Sequence, residues 1–321
     1  MCPIPRDTAI AGVPSNVNIK DASSTCFSCK RLNDSTFQIV EDDKWDEIPI
    51  IYVKLYDTVL VLIDTGCGGA AKDDTAALTS LRKFLETYPV PDNNDTALNP
   101  GSEKGYLVIC SHCHFDHIGG IAQFLDTPKC ALWASSYDRA FVEGDGVLPM
   151  HSLCQYFGLN TPKYKVTVWA EDGQNVTYGP DNTDLALIIY HTPGHTPDEL
   201  AVWDPRERVL FVGDTMYEWS HIVWPLEGNL LLYSQTMGKL KDLVRSWNHE
   251  IRSTNDADGE QLLDDVDLFL YHVAEGIVEE NPQGTFRDEQ LVSYNREDGK
   301  INFIGPKKLF EAFRSYAPPT P

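Results

Sequence analysis

The sequence predicts an α/β protein on three observations: apolar strand-like runs recur along the chain, segments of helical periodicity fall between them, and several of the runs end in histidine or aspartate instead of an ordinary turn residue. Residues 50–56 and 59–63 read as a hairpin whose second strand ends on Asp64-Thr65-Gly66. A first helix is predicted over residues 75–88, where Leu78, Leu81, Leu85 and Tyr88 recur at helical spacing and Pro89 halts the turn. After an Asn-, Asp- and Pro-rich loop over residues 89–103, residues 106–110 form a short apolar strand. It runs straight into Ser111-His112-Cys113-His114-Phe115-Asp116-His117. Residues 186–190 make another apolar strand, ending at His191-Thr192-Pro193-Gly194-His195. A hairpin of residues 200–203 and 209–212 turns through Asp204-Pro205-Arg206-Glu207 and ends at Gly213-Asp214-Thr215. Helices are expected from Ser234 to about Arg252 and over residues 307–316, with a strand over residues 268–271 ending at His272.

The chain has 321 residues, 42% of them hydrophobic, which is enough for one large core. Residues up to about 35 are irregular and polar. With no internal repeat, low-complexity tract or long linker, the sequence is read as one domain over residues 1–321. Against 48 acidic residues stand only 26 Lys and Arg, and the formal charge of -22 repels phosphate backbones and anionic lipid, so nucleic acid and membrane surfaces are excluded as partners. The amino terminus lacks a signal-peptide pattern and no run approaches the roughly 20 apolar residues of a membrane span, so a cytoplasmic location is the default expectation. Eight cysteines in such a chain read as reduced thiols.

The strand ends carry the chemistry. In His112-x-His114-x-Asp116-His117, residues 112 and 114 of an extended segment share one side, while Asp116 and His117 follow on a turn and point elsewhere. A lone histidine at a strand end is usually a satisfied polar residue, but four potential ligands within so short a stretch would be costly to bury unpaired. Imidazoles suit zinc, and an added carboxylate lets a second divalent ion bind beside it with a position open to water. His195, Asp214 and His272 stand at strand ends from which they could close the site. His191 is read as structural.

Together, Asp64, the His112–His117 cluster, His195 in Thr-Pro-Gly-His-Thr, Asp214 in Gly-Asp-Thr and His272 resemble the metallo-β-lactamase superfamily. The resemblance implies an αββα sandwich of two mixed sheets flanked by helices. It also implies two zinc ions, with iron or manganese as alternatives. His112, His114 and His195 would hold one ion, Asp116, His117 and His272 the other, and Asp214 would bridge them, with Asp64 supporting the ligands from behind. A hydroxide shared by the ions would attack a carbonyl, and Asp116, Asp214 and Tyr217 are the residues expected to take part in catalysis.

The run Asp214-Thr215-Met216-Tyr217 resembles the lactone-hydrolysing branch, and fungal relatives that open γ-lactams such as benzoxazolinones are similar in outline. The expected substrate is therefore a small lactam or lactone. Tyr217, Trp219, His221 and Trp224 would line its pocket, aromatic walls supplying contact area. Two rival activities share the scaffold: a thioester hydrolase of the glyoxalase II type, and a persulfide dioxygenase with a single iron.

Overall fold

A computed structural model of the chain describes residues 24–127, 129–143, 146–218, 220–250 and 258–316. They divide into two compact units, where the sequence reads as one domain. The larger comprises residues 24–191 with Leu200–Phe211; the smaller comprises Thr192–Glu199 with residues 212–316.

The larger unit contains, in chain order, β1 (Phe27–Arg31), β2 (Thr36–Glu41), β3 (Ile50–Leu55), β4 (Val59–Ile63), α1 (Leu81–Thr87), β5 (Gly105–Ile109), α2 (Phe115–Ile118), β6 (Cys130–Ser135), α3 (Arg139–Glu143), α4 (Leu148–His151), β7 (Val168–Ala170), β8 (Asn175–Tyr178), β9 (Thr183–His191), β10 (Leu200–Asp204) and β11 (Val209–Phe211). Strands β1 to β7 form a seven-stranded sheet in sequence order, antiparallel as far as β4 and parallel from β4 to β7. A second sheet, β11-β10-β9-β8, is wholly antiparallel. Strand alternation sorts β4 and β5 into two apolar faces. Val59, Val61, Ile63, Leu107 and Ile109 pack on Leu187, Ile189, Leu200 and Val202 of the second sheet. Leu60, Leu62, Tyr106 and Val108 turn the other way, onto Leu81, Phe84 and Leu85 of α1. Burial on both faces explains why these strands read as continuous apolar runs.

The smaller unit contains β12 (His221–Val223), α5 (Leu230–Glu250), α6 (Asp258–Ala274), β13 (Asn281–Phe286), β14 (Glu289–Asn295), β15 (Asn302–Pro306) and α7 (Lys307–Arg314). Its sheet, β12-β15-β14-β13, is a third, mixed sheet beyond the two expected.

Several boundaries differ from expectation. The first helix begins at Leu81, because Ser80 takes the N-cap and accepts the Lys83 N–H at 3.3 Å. Strand β1 lies in the segment expected to be irregular, and β12 lies within the aromatic stretch expected to line the pocket. The largest correction is at residues 268–271, which are helical and belong to α6. Leu263, Val266, Phe269, Leu270 and Val273 recur at helical spacing and are all buried, whereas Leu268, which a strand would bury with Leu270, is 44% exposed.

Candidate metal centre

His112, His114, Asp116 and His117 belong to the larger unit; His195, Asp214 and His272 belong to the smaller. In the larger unit the ligand segment leaves β5 and enters the short helix α2, and Asp64, at the end of the neighbouring β4, organises it. The Asp64 N–H donates to the Ile109 carbonyl at 2.9 Å, which carries the pairing one residue past the strands. One carboxylate oxygen accepts the Ser111 N–H at 2.7 Å; the other accepts the Ser111 hydroxyl at 2.8 Å and lies 2.8 Å from His117 Nδ1. Thr65 then grips the His117 carbonyl with its N–H at 2.7 Å and its hydroxyl at 2.9 Å. A buried carboxylate that engages Nδ1 fixes the ring and leaves Nε2 for a ligand. His117 Nε2 lies 3.4 Å from an Asp116 oxygen.

The three imidazoles crowd together. His112 Nε2 is 2.9 Å from His114 Nδ1, and the His112 and His117 ring centres are 4.0 Å apart. His112, His114 and His117 are 1%, 5% and 6% exposed. Imidazoles with a carboxylate at the rim form a donor set that fits a divalent transition metal, zinc or iron, better than calcium or magnesium.

Glu41, at the end of β2, steadies the loop after Asp64. Its two oxygens accept the N–H groups of Cys67 and Gly69 at 2.8 and 2.7 Å. Gly66 has φ +70°, and a Cβ there would fall 2.1 Å from the Glu41 carboxylate. Burial pushes the Glu41 carboxyl up to about 7, against the lowering effect of the two N–H donors. Burial, aided by the charge of Asp116, likewise pushes the Cys67 thiol far above its ordinary value.

In the smaller unit, His195 lies on the connection between β9 and β10. Its Nδ1 donates to the Val223 carbonyl of β12 at 2.6 Å, which turns Nε2 to within 3.8 Å of an Asp214 oxygen. The Asn229 N–H donates to the Gly194 carbonyl at 2.8 Å, and the Thr236 hydroxyl of α5 to the Pro193 carbonyl at 2.7 Å. Gly194 is required by close approach: a Cβ there would meet Tyr233 Cα at 2.6 Å. Glu199, fully buried, accepts the Asp214 N–H at 2.9 Å and the Thr196 hydroxyl at 3.4 Å, tying Asp214 and the residue after His195 to one anchor.

Other expected site residues fall elsewhere. His272 is in the last turn of α6, and among the described residues no group of three or more potential ligands includes it. Trp224 is a core residue, 1% exposed, with T-shaped contacts to Tyr233, Phe303 and Phe310; apolar packing, rather than a pocket, accounts for it. His221 pairs its Nε2 with Asn295 Oδ1 at 2.9 Å, and the Tyr217 hydroxyl donates to the His221 carbonyl at 2.8 Å. Trp219 lies outside the described residues. His191 is structural, with Nε2 2.7 Å from the Ala170 carbonyl.

Sequence reasoning missed Glu41, Glu199 and an aromatic cluster in the larger unit. Half-buried Trp45 and Phe157 pack on Phe115, between the candidate ligands His114 and Asp116, with ring centres 5.4 and 4.3 Å from it. No spacing rule links Trp45 to Phe157; only the tertiary fold brings them together.

Residues 45–247 match the family model of the metallo-beta-lactamase superfamily. A protein of Aspergillus versicolor named as the putative transcription factor avaE is 36% identical over 232 residues, 71% of this chain and 68% of that one. The human acyl-coenzyme A thioesterase MBLAC2 is 27% identical over 196 residues, 57% of this chain and 64% of that protein. The solved structure of an archaeal metallo-beta-lactamase superfamily protein, ST1585 from Sulfolobus tokodaii, aligns with TM-score 0.45 and 16% identity over 66% of this chain and 77% of that one. The family match spans the hydrogen-bonded Asp64 and histidine cluster as well as His195 and Asp214, and on that ground the chain belongs to the metallo-β-lactamase superfamily, whose members are mostly metal-dependent hydrolases.

Proposed function

We propose that the protein is a metal-dependent hydrolase that cleaves an acyl bond in a small molecule, with His112, His114, Asp116 and His117 acting with His195 and Asp214 as ligands. The observation that carries this reading is the buried trio of His112, His114 and His117, locked by Asp64 and Ser111 with nitrogens turned to one another. Divalent metal bound there would supply an acidified water and polarise the substrate carbonyl. The chain's own residues set the stage: Asp64 fixes the His117 ring, the Val223 carbonyl fixes the His195 tautomer, and Glu199 holds the Asp214 backbone. Asp214, half-buried, is the group assigned to receive and return a proton. Zinc is the metal proposed first, as a pair of ions, and a cytoplasmic setting is proposed from the sequence.

Of the substrate classes, an acyl thioester stands ahead of a lactam or lactone. Relatives bear the names acyl-coenzyme A thioesterase and, in Maricaulis maris, hydroxyacylglutathione hydrolase at 26% identity over 134 residues. The pocket expected for a cyclic substrate loses Trp224 to the core and the Tyr217 hydroxyl to a backbone contact. The partly exposed Trp45, Leu153, Phe157 and Leu159 offer an apolar wall for an acyl group beside the ligand helix. A charge of -22 favours a thioester with few negative groups of its own. The test is to measure metal content and screen purified protein against acyl thioesters, lactones and γ- and β-lactams. Metal-dependent turnover of thioesters supports the reading. Turnover of lactams alone overturns the substrate class, and metal-independent turnover overturns the mechanism. Oxygen uptake with one iron per chain would establish the dioxygenase instead.

A further inference from the structure

On the larger unit, away from the histidine segment, a cavity of about 510 Å³ opens beside the first half of β6. That strand pairs with β7 only from Trp133 onward, and before it the edge is flanked by residues 163–167. The pairing is finished by a side chain: the Thr167 hydroxyl accepts the Leu132 N–H at 2.7 Å and donates to the Leu132 carbonyl at 2.8 Å. Alternation in this extended stretch turns Tyr164 and Val166 onto the apolar core. Lys163 and Lys165, both exposed, line the cavity together with Leu125, Leu132 and Cys130.

Lys54, Lys72, Lys241, Lys300, Lys307 and Lys308 each sit on a carboxylate, as expected in a chain of charge -22. Among the described residues Lys163 and Lys165 have no carboxylate partner, as is also true of Lys30, Lys44, Lys83, Lys104 and Lys129; these two are the lysines that line the cavity. Burial pushes the Cys130 thiol up to about 11, against the lowering effect of the Arg82 guanidinium, so at neutral pH the cavity lining contributes no thiolate charge. Unpaired cations over an apolar floor, in an otherwise acidic protein, form the complement of an amphipathic anion.

We propose that this cavity binds a small carboxylate with an aromatic or aliphatic body, its charge between Lys163 and Lys165 and its apolar part against Leu125 and Leu132. The inference is independent of the hydrolase reading, since none of these residues belongs to the candidate metal centre. Calorimetric titration with 2-naphthoate, alongside the neutral 2-naphthamide, tests it. The expected result is that naphthoate binds the native protein, that naphthamide binds at least about tenfold more weakly, and that the double variant Lys163→Gln, Lys165→Gln loses naphthoate affinity by a similar factor while hydrolytic activity is unchanged. Equal binding of the two probes, unaltered affinity in the double variant, or no binding below about 10 mM would each overturn it.

Discussion

The segments His112–His117 and Tyr217–Trp224 look alike in sequence: each follows a strand-end motif and mixes histidine with aromatic residues. Their environments differ in kind. The first holds polar rings that are buried yet face one another, stabilised by a network from Asp64, Ser111 and Thr65. In the second, Trp224 contributes core packing, Tyr217 staples the chain to its own backbone, and His221 reaches a side chain on β14. Residue type alone does not mark a site. What distinguishes it is a buried polar group whose neighbours are other ligand-type groups rather than apolar surface or backbone partners.

The difference can be broken from either side. Removing a ring from the first segment, as in His114→Ala, is expected to lower kcat/KM by several orders of magnitude with cooperative unfolding retained, measured by steady-state kinetics and circular dichroism. Full turnover by the variant would remove the segment from the mechanism. In the second segment, Trp224→Ala is expected to cost about 3–5 kcal/mol of stability by denaturant titration, because the ring is replaced by a cavity, while activity per folded molecule stays close to native.

Glu41 sharpens the contrast through pH. Its folded pKa, about 7, lies above the ordinary carboxyl value of 4.5, so between those pH values the folded state binds more protons than the unfolded. Stability from this group therefore falls as pH rises from about 4.5 to about 7 and is level beyond. The native protein is expected to lose up to about 3 kcal/mol relative to Glu41→Gln across that window. Parallel stability profiles for the two proteins would contradict the buried carboxylate. Asp64→Asn is expected to weaken metal affinity about 10- to 100-fold, read by competition with a chromogenic chelator. Tyr217→Phe should change kcat/KM less than about threefold and stability by about 1 kcal/mol, the worth of one hydrogen bond to a backbone carbonyl.

The strands that lead into the candidate site were legible in the chain, because β4 and β5 are buried on both faces and so appear as unbroken apolar runs ending in Asp64 and the histidine cluster, whereas β2, β6, β7 and β8 were not anticipated. The Leu200–Phe211 hairpin and the closing helix were legible for similar reasons. The stretch before His272 misled, since Leu268, Phe269, Leu270 and Tyr271 are contiguous and apolar; the buried stripe that makes α6 a helix shows only over a longer window. Glu41 and Glu199 left no local signal: an acid that caps distant backbone N–H groups looks the same in sequence as a solvated one. Tryptophan 224 was ambiguous for a related reason, as an aromatic ring suits a core and a pocket equally.

The central claim is that the buried histidines exist to hold metal that the chemistry requires. Elemental analysis of the purified protein, repeated after exhaustive chelation and after readdition of zinc, with hydrolysis followed on the same samples, tests it most directly. About one to two divalent ions per chain are expected, with activity lost on stripping and regained on reloading, and neither metal nor activity in His114→Ala. Stripped protein that hydrolyses as fast as the loaded form, or His114→Ala that retains its full metal content and activity, would contradict the account.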